Sequence, residues 1–132
     1  MEAVASLANT IPQALDQVNL KIDQSVVLGF SQGAMLGHGL VLHQQLQLRG
    51  LAACSGRLVP ELFAHGQDVP ESFPVFLSHG TLDELIPVTS GQAIRQFYDS
   101  ETKADVTWCE EPIGHGIGPQ AVSMLQTWFD KR

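Results

Sequence analysis

Basic residues are scarce in this chain. Lys and Arg number 7 against 14 Asp and Glu, a formal net charge of −7 over 132 residues. A phosphate-binding surface needs clustered Lys and Arg, so the charge balance argues against nucleic acid as a partner, and an anionic membrane surface is disfavoured for the same reason. No apolar run approaches the roughly 20 residues that span a bilayer. The N-terminus has neither the basic segment nor the long apolar core of a secretory signal. Cysteine is nearly absent. Cys54 and Cys109 each fall in a predicted strand, and neither has a second ligand at metal-binding spacing. They are expected to be reduced core residues of a cytoplasmic protein that uses no metal and no cofactor. Repeats, low-complexity tracts and linkers are lacking too, so one domain over residues 1–132 is expected.

What is present is a core. The composition is 44% hydrophobic and 16% charged, enough apolar material to fold and too little charge for disorder. The chain is organised around Val26-Val27-Leu28-Gly29-Phe30-Ser31-Gln32-Gly33-Ala34. An apolar run precedes Gly-x-Ser-x-Gly and a helix-forming stretch follows it. That is the pattern of a nucleophile elbow, a strained turn from strand to helix that leaves the Ser hydroxyl exposed above a sheet. The two glycines fit such a turn, since a Cβ at either Gly29 or Gly33 is expected to crowd the Ser. An ordinary Gly-rich turn between strand and helix is the competing reading.

Hydrophobic periodicity organises the rest. Residues 2–18 read as a helix with Val4, Leu7, Ala8, Ile11, Leu15 and Val18 on one stripe; Pro12 either kinks it or opens a second helix capped by Thr10. Strands are expected at 26–30, 50–54, 74–78 and 105–109, and helices at 32–46, 88–99 and 119–129. Residues 58–73 are loop-rich, with room for a short helix at 61–65. The 26–30 run is apolar on both faces, which predicts helices covering it on each side. Alternating strands and helices imply an α/β fold with a mostly parallel, doubly wound sheet and right-handed crossovers.

Sites in such sheets form beyond the carboxyl ends of the strands. Ser31, Asp83 and His115 each follow a strand end, in the order Ser, Asp, His. A Ser hydroxyl needs a base to take its proton during attack, and an imidazole can do this and later protonate the leaving group. A carboxylate on the other ring nitrogen fixes the tautomer and stabilises the imidazolium. The backbone N–H of Gln32, at a helix N-terminus, can donate to an oxyanion. Read singly, His115 is an ordinary loop His and Asp83 an ordinary turn residue; the joint placement with Ser31 is what points to chemistry. His38 and His43 read as packing or surface residues and His65 as a loop residue. His79 reads as a residue that shapes the Asp83 loop. Ser55 and Ser78 end strands without an elbow's glycines. Asp68, Glu84, Glu110 and Glu111 read as solvated charges. Loop position alone offers Leu36, Leu58, Phe63, Ile86 and Ile117 as the lining of an apolar acyl site.

Four motifs, Gly29-Phe30-Ser31-Gln32-Gly33-Ala34, Ser55-Gly56-Arg57-Leu58, His79-Gly80-Thr81-Leu82-Asp83-Glu84-Leu85-Ile86-Pro87 and Gly114-His115-Gly116-Ile117, resemble the phospholipase/carboxylesterase family. That family includes bacterial carboxylesterases and acyl-protein thioesterases. The resemblance implies an α/β-hydrolase fold and hydrolysis of small carboxylic esters, or thioesters, through an acyl-enzyme. It also implies Ser31 as nucleophile, His115 as base and Asp83 as its orienter, with Gln32 giving one oxyanion N–H. Members carry several strands and a His-Gly-x-Gly loop before this point. Here a single helical segment precedes the elbow strand, so a truncated version of the fold is expected, with about four strands and without the second oxyanion donor. The elbow strand then becomes a sheet edge, and an apolar edge invites pairing, so a homodimer or higher homo-oligomer covering Val26–Phe30 is expected. The rival to a small serine esterase is a non-catalytic module of the same fold that serves assembly or structure.

Overall fold

The computed structural model describes residues 2–64, 66 and 68–132. Four strands, β1 (Val26–Phe30), β2 (Gly50–Cys54), β3 (Pro74–Gly80) and β4 (Asp105–Glu111), form one parallel sheet in the order β1-β2-β3-β4. Four α-helices surround it: α1 (Glu2–Gln17), α2 (Gln32–Leu42), α3 (Val88–Glu101) and α4 (Pro119–Asp130). Parallel pairing requires a crossover after each strand, so all four carboxyl ends lie along one edge of the sheet.

The two faces of the sheet bury different residues, as the period-2 alternation of strands demands. Leu51, Ala53, Val75 and Leu77 pack with Ala34, Val41, Ile94 and Tyr98 in one core cluster against α2 and α3. Ala52, Cys54, Phe76 and Cys109 pack with Ala121, Leu125 and Trp128 in a second cluster against α4. The central strand β2 is buried at all five positions, which is why it reads as a continuous apolar run.

Several expectations change in detail. α1 is one helix with Pro12 inside it, and only Val4 of its stripe is buried; Val18 is exposed. β1 is covered unevenly: on the α4 side only Val26 packs against the core. Val27 packs toward α2, whereas Leu28 and Phe30, on the opposite face, are 47% and 39% exposed. α2 stops at Leu42 rather than near Leu46, because Gln45 turns back with φ 49° and the Leu46 amide bonds to the Leu40 carbonyl. Residues 60–64 form turns, not a helix, through Leu62 N–H to Val59 O and Phe63 N–H to Pro60 O. His65 lies outside the described residues. On α3 the inward residues are Ile94 and Tyr98, with Ala93 and Phe97 only half-buried.

Candidate active site

β1 delivers Ser31 at φ 56° and ψ −114°, a conformation that costs a non-glycine residue about 1–3 kcal/mol and persists only where its surroundings enforce it. The enforcement is visible. Ser31 N–H donates to Cys54 O across the sheet at 2.8 Å, and Ser31 O receives the Ala34 amide at 3.1 Å as α2 begins. Strand and helix backbones approach so closely at the turn that a Cβ on Gly29 would fall on the Gly33 carbonyl oxygen and lie 2.7 Å from the Ala34 nitrogen. Gly33 is different: a Cβ there meets nothing within 4 Å. The crowding expected at both glycines belongs to Gly29 alone, and it threatens the start of α2 rather than the Ser.

Ser31 stands at the N-cap position, yet its hydroxyl makes no capping bond. It bonds instead to His115 Nε2 at 3.0 Å, and His115 Nδ1 bonds to Asp83 Oδ2 at 2.7 Å. The consistent proton arrangement has Nδ1–H donating to the carboxylate and the Ser hydroxyl donating to Nε2. Residues 84 positions apart in sequence thus meet through three loops at one sheet edge. The N–H groups of Gln32 and Gly33 open α2, where no preceding helical carbonyl can accept from them.

Asp83 is 8% exposed. Burial by itself would raise its carboxyl; the Ile86 N–H, the His115 ring and the Leu85 N–H more than offset this and hold it below the usual carboxylate range. The two amides reach Oδ1 at 2.8 and 2.9 Å, which leaves Oδ2 for His115. The Asp83 and His115 loops are joined by backbone: Thr81 N–H to Glu111 O and Leu82 N–H to Ile113 O, both 2.9 Å. Gly80 permits that approach, because a Cβ there would fall on the carbonyls of Ile113 and Gly114.

Three residues around this chain escaped the sequence. Phe30 lies against the His115 ring in a tilted contact with centroids 4.9 Å apart. Ser55, buried with φ 56°, donates from Oγ to Gly116 O at 3.3 Å and so tethers the residue after His115. Glu111 is not a solvated charge but 4% exposed, accepting the Ala121 and Gln120 amides at 2.9 and 3.3 Å. A carboxylate over a helix N-terminus satisfies its open amides, and here it seats α4 directly after the His115 loop. No motif separates it from its exposed neighbour Glu110.

The five residues proposed to line an acyl site do not line one cavity. Leu36 lies in an open groove of about 400 Å³ beside the elbow, with Gln32, Met35, Val4, Val59 and Leu62. Leu58 and Phe63 border a separate depression with Pro60, Ala93 and Phe97. Phe63 is drawn inward by ring contacts with His38 and Phe97, at 5.0 and 5.1 Å. Ile117 packs against the α4-side core. Ile86 is committed through its backbone, its amide to Asp83 and its carbonyl to His79.

Burial raises both thiols, Cys109 to about 11 with the Glu111 carboxylate contributing, so neither is an activated nucleophile. Among the described residues no group of three or more His, Cys, Asp or Glu could hold a metal, and no helix is long and apolar enough to cross a membrane.

A parallel sheet with Ser, Asp and His beyond the carboxyl ends of β1, β3 and β4 defines the α/β-hydrolase class. The chain belongs to the Phospholipase/Carboxylesterase family, which it matches over residues 1–132. It is 27% identical over 135 residues to acyl-protein thioesterase 1 of Yarrowia lipolytica, covering 99% of this chain and 59% of that protein. It is 35% identical over 95 residues to acyl-protein thioesterase 1 of Eremothecium gossypii, covering 70% of this chain and 40% of that one. The Bacillus cereus carboxylesterase superimposes with a TM-score of 0.85 at 20% identity, over 97% of this chain and 59% of that one. The chain thus spans about 59% or less of the length of these proteins.

Proposed function

We propose that this chain hydrolyses short-chain carboxylic esters, or thioesters, through an acyl-enzyme on Ser31. The observation that carries the reading is the hydrogen-bonded series Ser31 Oγ, His115 Nε2, His115 Nδ1 and Asp83 Oδ2. In the acylation step Oγ bonds to the substrate carbonyl carbon as its proton passes to Nε2. The oxyanion faces the Gln32 N–H. Collapse breaks the C–O or C–S bond, and Nε2 returns the proton to the leaving alcohol or thiol. Water then repeats the sequence, releasing the acid and restoring Ser31. Asp83, held ionised, orients the ring and stabilises the imidazolium without itself taking the proton. The groove beside Gln32 is open and apolar, and suits a short acyl chain.

The test is turnover of p-nitrophenyl acetate and butyrate, with labelling by a fluorophosphonate. Wild type should hydrolyse both and be labelled; Ser31→Ala should lose the label and roughly 10³-fold or more of the rate. Equal turnover by both proteins, or an unlabelled wild type, would refute the reading and favour a non-catalytic module of the same fold.

A further inference from the structure

His79 is a buried polar residue beside the Ser31–His115–Asp83 series. It is 1% exposed, at the end of β3. Its Nε2 bonds to Ile86 O at 2.7 Å and approaches Asp83 Oδ2 to 3.4 Å. Its Nδ1 is buried without a hydrogen-bond partner. An N–H left unpaired in the interior costs about 1–3 kcal/mol, so the ring is held as the tautomer with its proton on Nε2 and a bare Nδ1. Nε2–H therefore donates to Ile86 O, and both backbone groups of Ile86 are spoken for: the amide by Asp83 Oδ1, the carbonyl by His79. The ring fits only because α3 presents Gly91 to it, where a Cβ would lie 2.6 Å from Nδ1 and 2.9 Å from Cγ. Glu110, the register partner of His79 on β4, is exposed and engaged by Gln92.

We infer that His79 is a positioning residue for Asp83, bracing the 83–86 turn through Ile86 so that Oδ2 meets His115. The inference rests on the hydrolase reading for its kinetic consequence only. Without the brace the Ile86 carbonyl is freed, the turn relaxes, and the amides that orient the carboxylate move with it. Displacement of a catalytic group by about 1 Å can cost roughly 10²-fold in rate. Gln is the conservative replacement, because its amide nitrogen can occupy the place of Nε2 and donate to Ile86 O.

The experiment compares wild type, His79→Gln, His79→Leu and Gly91→Ala by kinetics and by the downfield proton resonance of the His115 Nδ1–H bonded to Asp83. His79→Leu should lose that resonance and lower kcat roughly 10–100-fold with KM little changed; His79→Gln should largely restore both. Gly91→Ala, which displaces the ring without removing it, should shift the resonance in the same sense as His79→Leu and carries the comparison if His79→Leu does not fold. A His115 resonance unchanged in folded His79→Leu, or in Gly91→Ala, overturns the inference. So does His79→Gln behaving as His79→Leu does. The resonance reports positioning even in a protein without turnover, so failure of the hydrolase reading and failure of this one are distinguished.

Discussion

Gly29 and Gly33 look equivalent in Gly-x-Ser-x-Gly, and the structure makes them opposites. In Gly29→Ala the new methyl must displace the Gly33 carbonyl and the Ala34 amide, which are backbone and cannot rotate away as a side chain can. Overpacking of a rigid site costs about 1–3 kcal/mol, and a backbone obstacle places this variant at the upper end. In Gly33→Ala the methyl enters open space, and φ at Gly33 is not positive. Gly33 lies within α2, so Ala there should raise stability by about 0.5–1 kcal/mol through helix propensity. The two variants should therefore differ by about 3–4 kcal/mol, which at roughly 4 °C per kcal/mol for a domain of 132 residues is a Tm gap of roughly 12–16 °C. Thermal and urea denaturation followed by far-UV circular dichroism measure the gap, and fluorophosphonate labelling reports whether Ser31 keeps its geometry. Labelling should fall in Gly29→Ala and persist in Gly33→Ala. Equal losses of stability in both variants would show that the close approach of β1 and α2 does not reside at Gly29.

Other outcomes follow from the same geometry. His38, fully buried against Tyr98 OH at 2.7 Å, is pushed from 6.5 down to about 3 by desolvation. A folded pKa below the unfolded one means the unfolded chain binds the proton first, so stability is lost as pH falls below 6.5. By pH 5 the loss is about 2 kcal/mol, and Tm in His38→Gln should fall less between pH 7 and 5 than in wild type; equal slopes would contradict this. Met35→Trp should fill the groove at Gln32 and raise KM for p-nitrophenyl butyrate several-fold more than for the acetate; parallel changes would exclude the groove as the acyl site. A second copy of this chain should cover β1, because Val26–Phe30 carries no charge to repel its own image and leaves Leu28 and Phe30 exposed. Sedimentation velocity at micromolar concentration should show a dimer that Leu28→Lys dissociates, and a monomeric wild type would refute it.

Local signals in the sequence were sufficient for every strand of the sheet and for the elbow. Short apolar runs mark the four strands, although β3 and β4 each extend two residues beyond the expected 74–78 and 105–109, and Gly29 reports a close backbone approach. The order Ser31, Asp83, His115 was legible because parallel strands carry all their carboxyl ends to one edge, so loop position along the chain is already position in space.

What depended on depth and direction was decided by the tertiary structure alone. Glu110 and Glu111 are identical in sequence terms, yet strand alternation sends Glu111 inward to the amides of α4 and leaves Glu110 exposed to solvent. Leu36, Leu58, Phe63, Ile86 and Ile117 are all apolar loop or helix residues, but whether such a side chain meets substrate or core depends on neighbours far away in the chain, as the ring contacts of Phe63 illustrate. The bracing of Asp83 by His79 through Ile86, and the space that Gly91 leaves for it, join β3, the loop after it and α3. The sequence by itself determined which residues stand at the sheet edge. Packing determined which way each side chain faces, because burial is a property of the assembled layers and not of any one segment.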